Sequence, residues 1–413
     1  MSLLHTLKHA VHTSREAFIA LSTLMFFFSA AVSLTIYIDS SFLTETITKN
    51  PRLMSLPFWS NADNVVGTLY TFASLLTILI LIVAPRLLSR YGNYRWTLGI
   101  LCVHTFLLLG LALSDSLWLI IPLFVFETAF ISVLYYNFDI FLERYSRKNE
   151  TGTVRGLFMV IGSIAWLFPP LLAGWIAQTY GFAYVYFTAA ILIVPIILFL
   201  IRYFSDFQDL TYDHQTFAES RKRALTDPNI RNILAATFLM HCFYAWMIIY
   251  TPIYLHQKLG MSFTDIGLLL TVALSAFVIF PYPLGRIADK WLGEKELLIA
   301  GFILMAISTA ALPLLADSGA GLFLWGAVLF FGRTGAATVE TMAESFFFKE
   351  IDGTEASEIG EFRRMRPTAF IVAPLLASAL LQFNIIEIRE LFYVLAALMI
   401  IALYFVFGLR DTK

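Results

Sequence analysis

The sequence predicts an all-α membrane protein of twelve transmembrane helices in two pseudo-symmetric six-helix bundles. Three observations predict it: apolar blocks about a bilayer long, a lopsided distribution of Lys and Arg, and an internal repeat. Of 413 residues, 59% are hydrophobic and 14% charged, against roughly 45–50% and about 25% in a soluble domain. A helix needs about 20 mostly apolar residues to cross a hydrocarbon core of roughly 30 Å. Such blocks cover 17–38, 62–84, 95–114, 117–142, 156–178, 182–203, 232–255, 263–281, 296–316, 321–348, 366–383 and 388–409. A β-barrel would need alternating segments half that length, and these runs are continuous. The first block is too long for a signal-peptide core and reads as a retained helix.

Lys and Arg set the orientation. With a cytoplasmic N-terminus, 23 of the 28 basic residues fall inside and four outside (Lys49, Arg52, Lys258, Arg389), while Arg333 falls within a helix. Losing one span would scramble this asymmetry. The expected protein is therefore a multi-pass plasma (inner) membrane protein with both termini cytoplasmic. Asp39–Asn61 is the longest outer loop. Ser205–Asn229, the one long polar stretch between spans, lies on the cytoplasmic side. The expected domains are a bundle over 1–204, a linker over 205–230 and a bundle over 231–413.

The halves repeat. Pro170-Leu-Leu-Ala-Gly174 recurs as Pro374-Leu-Leu-Ala-Ser378, an offset of 204, and Ala189-Ala-Ile-Leu-Ile193 as Ala396-Ala-Leu-Met-Ile400, an offset of 207. Matches at nearly one offset and at equivalent spans indicate duplication. Two such halves are the architecture in which a site forms between repeats that rock about it.

The net charge of −1 gives no reason to expect nucleic acid as a partner. Cys102 and Cys242 sit inside apolar blocks and read as small core hydrophobes. No nucleophile arrangement, metal cluster or phosphate loop appears, so neither an enzyme nor a metal or cofactor is expected.

The loop after span eight reads Gly285-Arg-Ile-Ala-Asp289-Lys290-Trp-Leu-Gly293-Glu-Lys295. It resembles the Gly-x-x-x-Asp-Arg/Lys-x-Gly-Arg/Lys loop of the major facilitator superfamily, with one extra residue before the second glycine. The loop after span two, Pro85 to Arg95, is a degraded copy, with proline for the first glycine and Ser89 for the aspartate. Phe168-Pro-Pro-Leu-Leu-Ala-Gly174 is similar, in part, to an element that the superfamily associates with exchange. The resemblance implies a transporter of a small solute working by alternating access. Physically, Gly285 would permit close helix approach, and Asp289 could face a helix N-terminus or an arginine.

Ionisable residues at membrane depth cost roughly 2.5–3.5 kcal/mol each on insertion scales and need a reason. Glu127 and Arg333 both fall near the midplane of their spans, at an offset of 206. In the resembled fold, spans four and ten face each other across the central cavity, which makes this acid and base the candidate proton-coupling residues. A structural ion pair is the competing reading. Helical spacing adds Tyr135 to the face of Glu127, and Glu340 to that of Arg333. With Ser29, Ser33 and Tyr37 on span one and His241, Tyr244, Trp246 and Tyr250 on span seven, these are the candidate cavity residues. The spacing on span seven does not decide between lining and packing. His104 falls on span three, which is peripheral in the resembled fold.

Asp139, Glu143, Arg144, Arg155, Glu344 and Arg364 approach the cytoplasmic end and, with Gly285, Asp289 and Lys290, are the candidate inner gate or a static brace. The expected function is proton-coupled secondary transport by a monomer embedded in the bilayer. An uncoupled facilitative carrier and a non-transporting receptor or scaffold stay open, as do symport and antiport.

Overall fold

The computed structural model describes residues 2–50, 62–145, 161–205, 207, 226–350, 356–383 and 385–410. Among them the secondary structure is helical, with no strand. Among the described residues, eleven helical segments are long and apolar enough to cross a membrane, and Leu391–Phe407 is a shorter apolar helix whose 17 residues rise about 25 Å. The chain divides into two compact units, residues 1–36 with 75–214, and 37–74 with 215–413.

In the first unit, α1 (Ser2–Thr35) packs on α7 (Phe182–Phe204). The helix α4 (Asn93–Leu113) packs on α7 and on α5 (Leu117–Tyr145). Between α5 and α7 in the sequence lies α6 (Pro169–Tyr180), with proline at its first turns, where the missing N–H costs nothing. In the second unit, α8 (Pro228–Ile253) packs on α14 (Ala356–Gln382) and α15 (Leu391–Phe407). Here α12 (Glu294–Ser318) packs on α13 (Leu322–Glu350) and on α15. Spans one and six, three and six, and three and four therefore pair in the first unit as seven and twelve, nine and twelve, and nine and ten do in the second. The sequence repeat thus reappears as a repeat of packing.

Asp39–Asn61, expected as a loop, begins with a helix, α2 (Asp39–Thr48), whose Ser40, Ser41 and Thr44 are buried. It continues the first span after a turn and packs on α8. Thr44 and Thr48 donate to the carbonyls four residues back, so their hydroxyls need no water. The remainder of that loop lies outside the described residues, as does most of the linker.

The helix α3 (Ala62–Tyr91) contributes to both units, and its residues 62–74 belong to the second. There Asn64 donates to Gln382 at 2.8 Å, and Ser378 donates to the Asn64 carbonyl at 3.3 Å. Pro374 has no N–H, so the Phe370 carbonyl one turn back has no helical donor. Ser74 fills that vacancy at 3.1 Å.

Span eight, expected as one helix, is three: α9 (Phe263–Leu274), α10 (Ala276–Ile279) and α11 (Pro281–Lys290). Pro281 and Pro283 remove two backbone donors, which breaks the ladder ahead of α11. The Gly285–Lys290 motif consequently lies on α11 and not in a loop. Among the described residues the close approach expected at Gly285 is absent: a Cβ there would meet nothing within 4 Å.

Candidate functional site

Each unit buries a titratable cluster near the middle of its spans. In the first unit, α4 and α5 run antiparallel through the short turn at 114–116. Glu127 stands ten residues after the start of α5, and His104 nine before the end of α4, so the turn brings both to one depth. The His104 Nε2 lies 4.0 Å from Glu127 Oε1. Both residues are 1% exposed. Thr128 donates to the second carboxyl oxygen at 3.3 Å. The Phe28 ring of α1 covers His104 at 6.1 Å and Tyr135 at 4.9 Å. His104, on span three, is thus the neighbour of the midplane acid. The signal in the sequence is the nearly equal spacing of the two residues from the hairpin turn.

The other first-unit candidates have protein partners. Ser29 shares a hydrogen bond of 3.2 Å with the Tyr135 hydroxyl, and Ser33 donates to the Trp166 carbonyl at 3.0 Å. Asp139 is exposed. The side chains of Glu143 and Arg144, and all of Arg155, lie outside the described residues.

In the second unit Arg333, on α13, is 2% exposed. Its guanidinium lies over the rings of Phe243 and Tyr244, 5.6 and 5.7 Å from their centroids. Among the described residues it forms no ion pair, and its Nη2 has no hydrogen-bond partner. Cation–π contact offsets part of the burial but leaves planar donors unfilled. Two turns further along α13, Glu340 accepts from the Tyr244 hydroxyl at 2.9 Å. His241 lies 5.7 Å from the Tyr244 ring, and its Nδ1 is buried without a partner. The result is a guanidinium with free donors walled by aromatic rings, with an acid and an imidazole around the same tyrosine. Such a wall suits a planar anion.

Trp246 and Tyr250 sit elsewhere. The Trp246 indole donates to the Ala373 carbonyl at 2.6 Å, and Tyr250 donates to the Pro374 carbonyl at 3.5 Å. Both are buried and tie α8 to α14. Tyr37 is buried at the start of the second unit.

Of the gate candidates, Glu344 pairs with Arg363 at 2.9 Å, and Arg364 with Glu361 on its own helix at 2.7 Å. Lys290 is exposed, and the Asp289 side chain lies outside the described residues. A brace that the sequence reading missed is Glu294, buried and bound to Lys349 and Ser345.

The Major Facilitator Superfamily model matches residues 12–358. The chain belongs to that superfamily. Over 237 residues it is 25% identical to the cis,cis-muconate transport protein of Acinetobacter baylyi, a match covering 53% of this chain and 55% of that one. The chain thus spans about half the length of this relative. Among solved structures, the POT family transporter PepTSo aligns with a TM-score of 0.74 at 10% identity, over 95% of this chain and 97% of that one. A variant of the nucleoside transporter NupG aligns at 0.70 and 13%, over 95% and 100%. At such identities the two structures share the fold alone.

Proposed function

We propose that this member of the superfamily is a secondary active transporter of a small organic anion, driven by protons through alternating access. The observation that carries the reading is Arg333. A buried cation is kept in a membrane protein only where something repays its desolvation, and a planar fork with free donors matches a carboxylate. The rings of Phe243 and Tyr244 favour a flat, unsaturated body beside the carboxylate. The muconate transporter points to the same chemistry. Glu127 is the candidate proton carrier, at the position equivalent to Arg333 in the other half. Glu340, bound to Tyr244, is positioned to respond when an anion reaches Arg333.

Uptake of cis,cis-muconate and a panel of mono- and dicarboxylates into proteoliposomes, with and without an inward acid gradient, tests this. Arg333→Lys keeps the charge and loses the fork. One hydrogen bond to a charged group contributes about 1.5–3 kcal/mol, so the expected loss of affinity is about 10- to 150-fold. Wild-type uptake of neutral solutes but of no carboxylate in the panel would overturn the anion reading.

The orientation proposed is cytoplasmic termini, from the excess of Lys and Arg in that set of loops. In a background lacking Cys102 and Cys242, an impermeant thiol reagent on intact cells should label Thr48→Cys and spare Thr216→Cys. The opposite pattern would invert the topology.

A further inference from the structure

We propose that His104 is a positioning residue for proton binding: the proton site of the first unit is the Glu127–His104 pair, with the imidazole holding the acid ionisable. The inference rests on the proton-coupled reading above and deepens it. Its ground is the juxtaposition of two buried titratable groups, 4.0 Å apart between Nε2 and Oε1.

The tautomer follows from the surroundings. His104 Nδ1 is buried without a partner. Placing a proton there would strand an N–H donor, and an orphaned donor costs more than an orphaned lone pair. The favoured neutral form therefore carries its proton on Nε2, facing Glu127. A fully charged imidazolium would strand the same Nδ1–H.

At 4.0 Å the contact is longer than a hydrogen bond, and no water fits in so short a gap. A movement of about 1 Å closes it to ordinary N–H···O geometry. The pair then has two states. With Glu127 protonated, the site is neutral and the imidazole needs no contact. With Glu127 ionised, Nε2–H closes on the carboxylate and stabilises the charge. A donor that closes on the ionised acid favours its charged form.

The other titratable groups around the pair are few. From Ile19 to Thr35, α1 has none. On α7, Tyr186 is buried, while Tyr184, Arg202 and Tyr203 are exposed. On α4 itself are Tyr94, Arg95 and Cys102, and on α5 are Tyr135, Tyr136, Asp139 and, at its far end, Glu143, Arg144 and Tyr145. No other imidazole belongs to α4, α5, α7 or the Ile19–Thr35 part of α1.

The test is infrared titration of the carboxylic acid carbonyl band of the full chain in lipid nanodiscs, from about pH 4 to about pH 9. Glu127→Gln identifies the band. His104→Leu should move its midpoint upward by about one pH unit or more, roughly a tenfold gain in proton affinity. His104→Gln, which keeps an amide N–H near the Nε2 position, should titrate close to wild type. His104→Asn places its donor near Nδ1 and should behave as leucine does. If His104→Leu fails to assemble, the contrast between Gln and Asn decides.

Equal midpoints for wild type and all assembled His104 variants would overturn the assignment. So would the absence of any titrating band that Glu127→Gln removes. Proteoliposome uptake of muconate separates this from the parent reading. A His104-dependent midpoint with uptake indifferent to the gradient keeps the pair and removes proton drive. Gradient-driven uptake with equal midpoints removes His104 alone.

Discussion

Glu127→Gln should abolish accumulation driven by a pH gradient and spare exchange of solute across the membrane. One pH unit corresponds to about 1.36 kcal/mol, so one coupled proton per turnover supports about tenfold accumulation for each unit of gradient. Glutamine has nearly the shape of glutamic acid and cannot release a proton. The variant should equilibrate solute to equal concentrations inside and outside. Exchange survives because it requires the loaded carrier to turn over without deprotonating. The site also explains why the substitution should be tolerated: Glu127 is buried beside the His104 ring and a threonine hydroxyl, and the amide is a fair copy of the protonated acid.

The double variant Glu127→Gln with Arg333→Gln removes both residues together and should also lose gradient-driven accumulation. Accumulation equal to wild type in that double variant would remove both residues from the coupling mechanism.

The second large effect is structural, and falls on the crossing of α12 and α13. A Cβ on Gly335 would lie 2.7 Å from the Gly301 carbonyl oxygen and 3.0 Å from the Met305 nitrogen. A Cβ on Gly301 would lie 3.0 Å from the Gly335 carbonyl oxygen. These are backbone atoms, so no change of rotamer relieves the clash, and the helices must separate. Overpacking costs typically about 1–3 kcal/mol, and close small-residue packing is a main source of helix association in lipid. Gly335→Ala should lower the unfolding temperature of the purified protein by several degrees, and Gly335→Leu should not assemble.

Gly99→Ala is the control. A Cβ there meets nothing within 4 Å, and alanine is about 0.5–1 kcal/mol better than glycine inside a helix. Equal melting of Gly335→Ala and Gly99→Ala would show that the crossing does not depend on close contact. Because Arg333 lies two residues from Gly335, separation of these helices should also weaken anion binding.

The amino-acid sequence determined what the bilayer demands of each segment alone. Every span must be long, apolar and internally hydrogen-bonded, and that requirement is local, so twelve blocks were legible without any contact. Duplication was legible for the same reason, as was the depth of Glu127 and Arg333, since depth is counted along one helix. Only the tertiary structure decided what each helix turns toward its neighbours. In water an apolar stripe marks the buried face. In lipid the outside is as apolar as the inside, and the stripe vanishes. Hence Trp246 and Tyr250 looked like cavity residues and proved to bind carbonyls of α14, while Tyr244 on the same helix reached Arg333 and Glu340. Gly285 matched a motif yet stands in open space, whereas Gly335, in no motif, touches backbone. His104 had the right depth in the sequence. Its approach to Glu127 required the rotation of α4 against α5, which is set by packing among side chains distant along the chain.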